Sequence, residues 1–250
     1  SPRIRHLVVS CNANGRMVKL ARESKNCFAM LLDAAVNDRS LAMTSSFTNM
    51  VVFGQEFARL WEKESFEPTL DRMTAAAEYV LEEGSQLAYS LARQSYQRAC
   101  FVGAGALSAT ARESALKLLE LTSGGIQTMY ETTLGLRHGP MSSLNTETLL
   151  TGFLSTDARR RKYDADLLSE IRAKQAVRTI VSIGGNDAAA DYSLHCAAFD
   201  AIEDAYRPAV DVIFSQMLGL FSSIERGLKP DTPSPNGLIS RVVEKFAIYA

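Results

Sequence analysis

The chain has only four cysteines, Cys11, Cys27, Cys100 and Cys196, scattered so widely that no CxxC pair exists. That spacing excludes a zinc ribbon and a dense disulfide framework and fits free thiols in a reducing compartment. An excess of one charge is also lacking: 27 Lys and Arg against 28 Asp and Glu leave a net charge of −1. No broad field exists to recruit nucleic acid or an anionic membrane, so any bound anion must be held by local groups. No stretch nears the roughly 20 apolar residues of a membrane span, and the start lacks the basic-then-apolar pattern of a signal peptide. The expected location is therefore the cytoplasm, with neither nucleic acid nor membrane as partner. Internal repeats and low-complexity segments are missing too. The chain opens Ser1-Pro2-Arg3, without Met, and enters a strand-like run at Ile4, as an excised segment would.

What is present is an ordinary globular composition, 250 residues with 46% apolar and 22% charged, enough for one large domain or two small ones. Short β-branched or apolar runs recur between longer helical patterns: 5–11, 27–33, 99–104, 127–130, 149–154 and 177–183. Strand alternating with helix predicts an α/β fold, a doubly wound parallel sheet flanked by helices, with strands buried on both faces. About 65 residues between the second and third runs read as helix, far longer than one βαβ connection. The predicted organisation is a partial first unit over 1–62, a helical bridge over 63–95, a complete unit over 96–227 and a tail over 228–250. Within the bridge, Glu67-Pro68 is expected to break the chain, and Gly84 is a candidate second break. Two strands before Gly54 cannot bury both faces of a sheet, so the first unit needs further chain or a partner. The tail opens on a Pro/Gly-rich turn and ends in a strand-like run.

Chemistry concentrates in four places. Phe101–Glu120 reads FVGAGALSATARESALKLLE, a strand, a Gly103-Ala-Gly105 turn and a helix starting near Ala106 or Ser108. Glycines there let backbone amides meet an anion, or serve only a tight turn; the third glycine of a dinucleotide fingerprint is missing. On the helix, Glu113, Lys117 and Glu120 share one stripe, while Ala111, Ala115, Leu118 and Leu119 are assigned to the core side. The stripe reads either as a solvated salt-bridge row or as an acid/base cluster in which Lys117 keeps Glu120 ionised. His138 lies in LGLRHGP, where Gly139 and Pro140 force a loop and leave an imidazole suited to proton transfer near neutrality. His6, at a strand start, and His195, in an expected helix without an acidic partner, read as incidental. Finally, Thr44, Ser45 and Ser46 follow the second strand and precede a helix, where hydroxyls cap the helix or bind an oxygen-rich ligand such as a sugar phosphate.

Taken together, Ala111–Leu144 and NDRSLAMTSSFT at 37–48 resemble the sugar isomerase (SIS) superfamily, and most nearly its AgaS-type members, the tagatose-6-phosphate ketose/aldose isomerases or galactosamine-6-phosphate deaminases. The resemblance covers essentially the whole chain, including Ser240–Val243. It implies two flavodoxin-like SIS units in tandem, a homodimer or higher oligomer, and a reaction needing neither metal nor organic cofactor. By similarity to the isomerase half of glucosamine-6-phosphate synthase, Glu120 is the base that moves a proton between C1 and C2. His138 opens the sugar ring and is supplied by a neighbouring subunit, and Glu113 and Lys117 support Glu120. Thr44, Ser45, Ser46, Gly103, Gly105, Arg137 and the tail residue Lys245 are then the candidate substrate contacts. The family's phosphate loop, SxSGxSxES, has no counterpart here; the resemblance places it before Ile4, so the chain reads as lacking the start of its first unit.

The implied function is a phosphosugar isomerase or deaminase. Two other classes compete. SIS units also serve as non-catalytic sugar-phosphate sensors, but such a module needs only anion-binding parts, and retention of Glu113, Lys117, Glu120 and His138 favours the enzyme. A nucleotide-binding protein is disfavoured by the incomplete glycine fingerprint.

Overall fold

A computed structural model describes residues 3–62, 64–239, 247 and 249. In chain order its elements are β1 (His6–Ser10), α1 (Arg16–Glu23), β2 (Cys27–Leu31), α2 (Ser45–Ala58), α3 (Glu67–Ala92), β3 (Arg98–Gly103), α4 (Leu107–Leu121), β4 (Gln127–Thr132), β5 (Thr148–Phe153), α5 (Ala158–Ala173), β6 (Thr179–Ile183), β7 (Tyr192–Leu194), α6 (Ala197–Asp200) and α7 (Pro208–Glu225). The six strands expected between residues 5 and 183 are present. The short β7 was not foreseen, because three residues carry too little pattern to register.

Strands β1 and β2 pair in parallel as a two-stranded sheet, and a separate five-stranded sheet runs in the order β4-β3-β5-β6-β7, every pair parallel. In the larger sheet, successive side chains of each strand enter opposite layers. Phe101, Leu149, Phe153 and Val181 pack with Ala76 and Val80 of α3, Leu118 of α4 and Phe214 of α7. Cys100, Val102, Leu150 and Ile180 pack on the other side with Leu167, Leu168 and Ile171 of α5 and with Leu136, in the 3-10 turn Gly135–His138 that follows β4. Helices α3, α4 and α7 therefore cover one face, and α5 with the β4–β5 connection covers the other. Burial on both faces explains why these strands are continuous apolar runs without polar alternation.

Helices α2 and α3 are separate, in keeping with the expected break at Glu67-Pro68; Pro68 stands in the first turn of α3, where its missing N–H loses no bond. One local expectation is corrected. Gly84 does not break α3, because a tight contact requires it: a Cβ there would lie 3.2 Å from Leu194 Cδ1 and 3.3 Å from Met217 Cε. Helix α3, inside the segment read as a bridge, thus packs as a layer along α7.

Loops tie the small sheet to the large one. Gln55 of α2 donates from Nε2 to Ala205 O at 2.8 Å, and Ser40 Oγ donates to Pro230 O at 2.8 Å. Leu7, Phe28 and Met30 share one face of the β1–β2 pair and are exposed there, and Leu31 is exposed on the other. The strand-like run expected at the end of the tail lies almost wholly outside the described residues. No helix among the described residues is long and apolar enough to cross a membrane.

Candidate active site

Helix α4 brings Glu113, Lys117 and Glu120 together. Lys117 Nζ stands 2.7 Å from Glu120 Oε2 and 3.4 Å from Glu113 Oε1. The stripe is not a solvated row: the Lys117 side chain is 5% exposed and that of Glu113 14%, whereas that of Glu120 is 28% exposed. Burial pushes the Glu113 carboxyl above its ordinary pKa, and the Lys117 ammonium opposes that rise. A nearly buried ammonium bracketed by two carboxylates is a costly arrangement unless each charge is paired. Its effect here is to fix the Glu120 carboxylate by a short charge-assisted bond while leaving its tip within reach of solvent. The core side of α4 is Ala111, Ala115 and Leu118 as expected, but Leu119 is 42% exposed and does not belong to it. Buried Thr110, Ser114 and Leu121 complete that face instead.

His138 stands elsewhere. It ends the 3-10 turn after β4, exposed to solvent, on the face of the sheet opposite α4. Within one chain the sheet separates His138 from Glu120. Arg137 shares that face, and its Nε donates to Glu170 Oε2 of α5 at 2.7 Å, so this guanidinium already has a carboxylate partner.

The hydroxyl loop is organised by Asp38. Its carboxylate accepts from the Thr44 and Ser46 hydroxyls at 3.1 and 2.7 Å and from the backbone N–H groups of Thr44, Ser45 and Ser46. Burial raises the Asp38 pKa, yet the bonds from Ser46, Ser45 and Thr44 outweigh it and hold the group below its ordinary value. In this state the loop caps α2, and Thr44 and Ser46 have their hydroxyls directed at Asp38 and not at a ligand. Asp38 was missed by sequence reasoning; the signal was an acid six to eight residues before a helix start, a spacing that only the folded loop makes short.

The turn after β3 divides in two. A Cβ at Gly103 would lie 2.6 Å from Leu107 O, so this glycine serves close packing of α4 on its strand and is closed to substrate. Gly105, at φ +56°, lines an open cavity. It stands a helix length from Glu120, about 20 Å at 1.5 Å per residue, too far for one hexose phosphate to touch both in the same chain. Lys245 lies outside the described residues. His6 does begin β1, but His195 lies in no helix and has an acidic partner: its Nε2 is 3.0 Å from Asp200 Oδ1.

At the carboxyl ends of β5 and β6 a wholly buried guanidinium fills the space beyond the strands. Arg207 donates to Leu154 O, to Ile183 O and to Asp211 Oδ2 at 2.6 Å. Burial pushes the Asp211 carboxyl up to about 6 against the pull of Arg207. Arg161 closes the neighbouring space with bonds to Ser155 O and Gly184 O at 2.7 and 2.8 Å. These plugs, which no sequence motif signals, add to the case against a dinucleotide across this edge.

No family model matches the chain. Curated relatives do: it is 35% identical over 260 residues to the D-galactosamine-6-phosphate deaminase AgaS of Escherichia coli, covering 99% of this chain and 65% of that protein. Against the protein of that name from a Shewanella species it is 29% identical, covering 98% and 60%. Thus the chain spans just under two thirds of the length of the curated relatives it matches. Among solved structures, a Clostridium novyi protein provisionally named tagatose-6-phosphate ketose/aldose isomerase superposes with a TM-score of 0.91 at 32% identity, covering 99% of this chain and 65% of that one. The Escherichia coli tagatose-6-phosphate ketose/aldose isomerase gives 0.79 at 32% identity, covering 93% and 64%. Sequence and fold agree: over nearly its whole length the chain is similar to proteins named AgaS, and it shares the fold of the tagatose-6-phosphate ketose/aldose isomerases.

Proposed function

We propose that this chain carries the base of a phosphosugar deaminase/isomerase that converts galactosamine-6-phosphate to tagatose-6-phosphate and ammonia. The observation that carries the reading is the ammonium of Lys117 locked between Glu113 and Glu120, which orients the Glu120 carboxylate and leaves it open to solvent. An imidazole, assigned to His138, transfers the proton that opens the pyranose ring. Glu120 then removes the proton on C2, alpha to the C1 aldehyde. The resulting enolamine is reprotonated at C1, which becomes a hydroxymethyl group, and C2 becomes a protonated ketimine. Water adds to C2, ammonia leaves, and the ketose phosphate remains. The Lys117 ammonium fixes the direction of the base, and a phosphate held remotely contributes orientation of the substrate.

Because the sheet separates His138 from Glu120 in one chain, the reading requires a homodimer or higher oligomer in which a second copy presents its His138 to this Glu120. The division into units at 1–62, 63–95, 96–227 and 228–250, and a cytoplasmic location, belong to the same proposal. Substrate contacts at Ser45 and Lys245 also belong to it, with Thr44 and Ser46 contributing once Asp38 is displaced. The test is ammonia release from galactosamine-6-phosphate and glucosamine-6-phosphate by the whole protein containing this chain. Glu120→Gln is expected to lower turnover about 10²–10⁴-fold with substrate affinity near that of the parent. Equal loss of binding and turnover alongside unfolding would make Glu120 a structural residue.

A further inference from the structure

The first turns of α5 carry the basic run RRRK at 159–162, and the fold sorts its members. Arg161 turns inward to backbone carbonyls. Arg159 and Arg160 turn outward and line a cavity of about 630 Å³ with Gly105, Thr132, Thr133 and Tyr163. The cavity lies outside the carboxyl ends of β3, β4 and β5, where the strand order β4-β3-β5 makes successive connections leave on opposite faces. That is the place where doubly wound sheets bind ligands.

Both guanidiniums are available. Arg159 is exposed and makes no ion pair among the described residues. Arg160 is 54% exposed at its side chain, and its one carboxylate contact among the described residues, to Asp204 Oδ2, is long at 3.5 Å. Asp204 has little need of it, since it already accepts from the Ser155 hydroxyl at 2.5 Å and from the Thr156 N–H and hydroxyl at 2.8 and 2.9 Å. Two cations therefore stand in the first turn of α5, where the helix dipole is positive and acidic side chains are favoured. The cap Asp157, which accepts from the Arg159 and Arg160 backbone N–H groups, lines the same cavity. Paired planar forks at a positive helix end match a phosphate dianion. The rim suits a polyol: the Thr132 oxygen accepts from Gly135 N, leaving its proton to donate, and the Tyr163 ring is 44% exposed.

We infer that this crevice binds a small phosphomonoester, held by Arg159 and Arg160, at a site distinct from Glu120. Gly105 and Glu120 mark opposite ends of α4, about 20 Å apart, so the ligand occupies a second site and does not depend on the deaminase reading.

Backbone amide chemical shifts in the chain titrated with inorganic phosphate at constant ionic strength test this. Saturable shifts at Gly105, Thr133 and Arg160 are expected, with apparent affinity at least tenfold weaker in Arg159→Gln/Arg160→Gln and unchanged in Glu120→Gln. If the double variant loses its far-UV circular dichroism, Arg159→Gln alone, at a side chain without an ion pair, is expected to weaken binding severalfold. Linear, unsaturable shifts, saturation confined to other amides such as Ser45 and Ser46, or equal affinity in the arginine variants would overturn the assignment. Repeating the titration with galactosamine-6-phosphate and glycerol phosphate separates a sugar phosphate from a general phosphomonoester site.

Discussion

Replacing Lys117 by methionine keeps most of the side-chain volume and removes only the ammonium. In the parent that ammonium is 5% exposed and lies 2.7 and 3.4 Å from two carboxylates. Breaking a buried pair by deleting one partner costs about 3–5 kcal/mol, and the partial exposure of Glu120 lowers this to about 2–4 kcal/mol at pH 7. Denaturation by urea is the assay. With a slope of about 3 kcal/mol per M, suited to the upper end of the small-protein range, the midpoint should fall by about 1 M. The pH dependence identifies the cause. Glu113 already has its pKa raised by burial, and Lys117 is what restrains the rise. Without Lys117 the folded-state pKa climbs further above the unfolded value. A carboxyl with a raised folded pKa binds protons more tightly when folded, so stability is gained as pH falls through that folded pKa. The deficit of Lys117→Met should therefore shrink between pH 7 and pH 5. A midpoint shift below about 0.2 M at both values, equivalent to a solvated pair, would refute the account of α4.

Asp38→Ala removes the cap of α2 and strands the buried Ser46 hydroxyl, a loss of about 2 kcal/mol at pH 7. Since the Asp38 pKa is depressed in the fold, its contribution is complete above the ordinary value of 3.8 and is lost as pH falls through the folded pKa; parent and variant stabilities should converge in acid. Gly103→Ala puts a Cβ 2.6 Å from Leu107 O, a backbone atom that cannot swing aside. Overpacking of this kind costs about 1–3 kcal/mol, and calorimetry should show a melting temperature lower by about 3–10 °C. Cys100 is wholly buried, and burial pushes its thiol up to about 12, so a thiol reagent should titrate the other three cysteines and reach Cys100 only on unfolding.

Several features of this protein were settled along the chain itself. Runs such as Ala99–Ala104 and Leu149–Leu154 are apolar without alternation, and a strand of that kind is stable only when helices cover both of its faces. The parallel α/β fold was therefore legible from local pattern, and so was the common stripe of Glu113, Lys117 and Glu120, because helical geometry is a local property. Burial is not local. Whether Lys117 was solvated or enclosed depended on α7 packing against α4, and the packing of α3 on α7 and β7 made Gly84 a contact where sequence suggested a break. The roles of Asp38, Arg207 and the outward pair Arg159 and Arg160 also waited for the fold, since each depends on groups brought close by loops or strands distant in sequence. His138 and Glu120 illustrate the division best: residue type proposed each for proton transfer and the family resemblance assigned His138 to a neighbouring subunit, but only the three-dimensional sheet put the two on opposite faces, because which face a loop crosses is decided by packing.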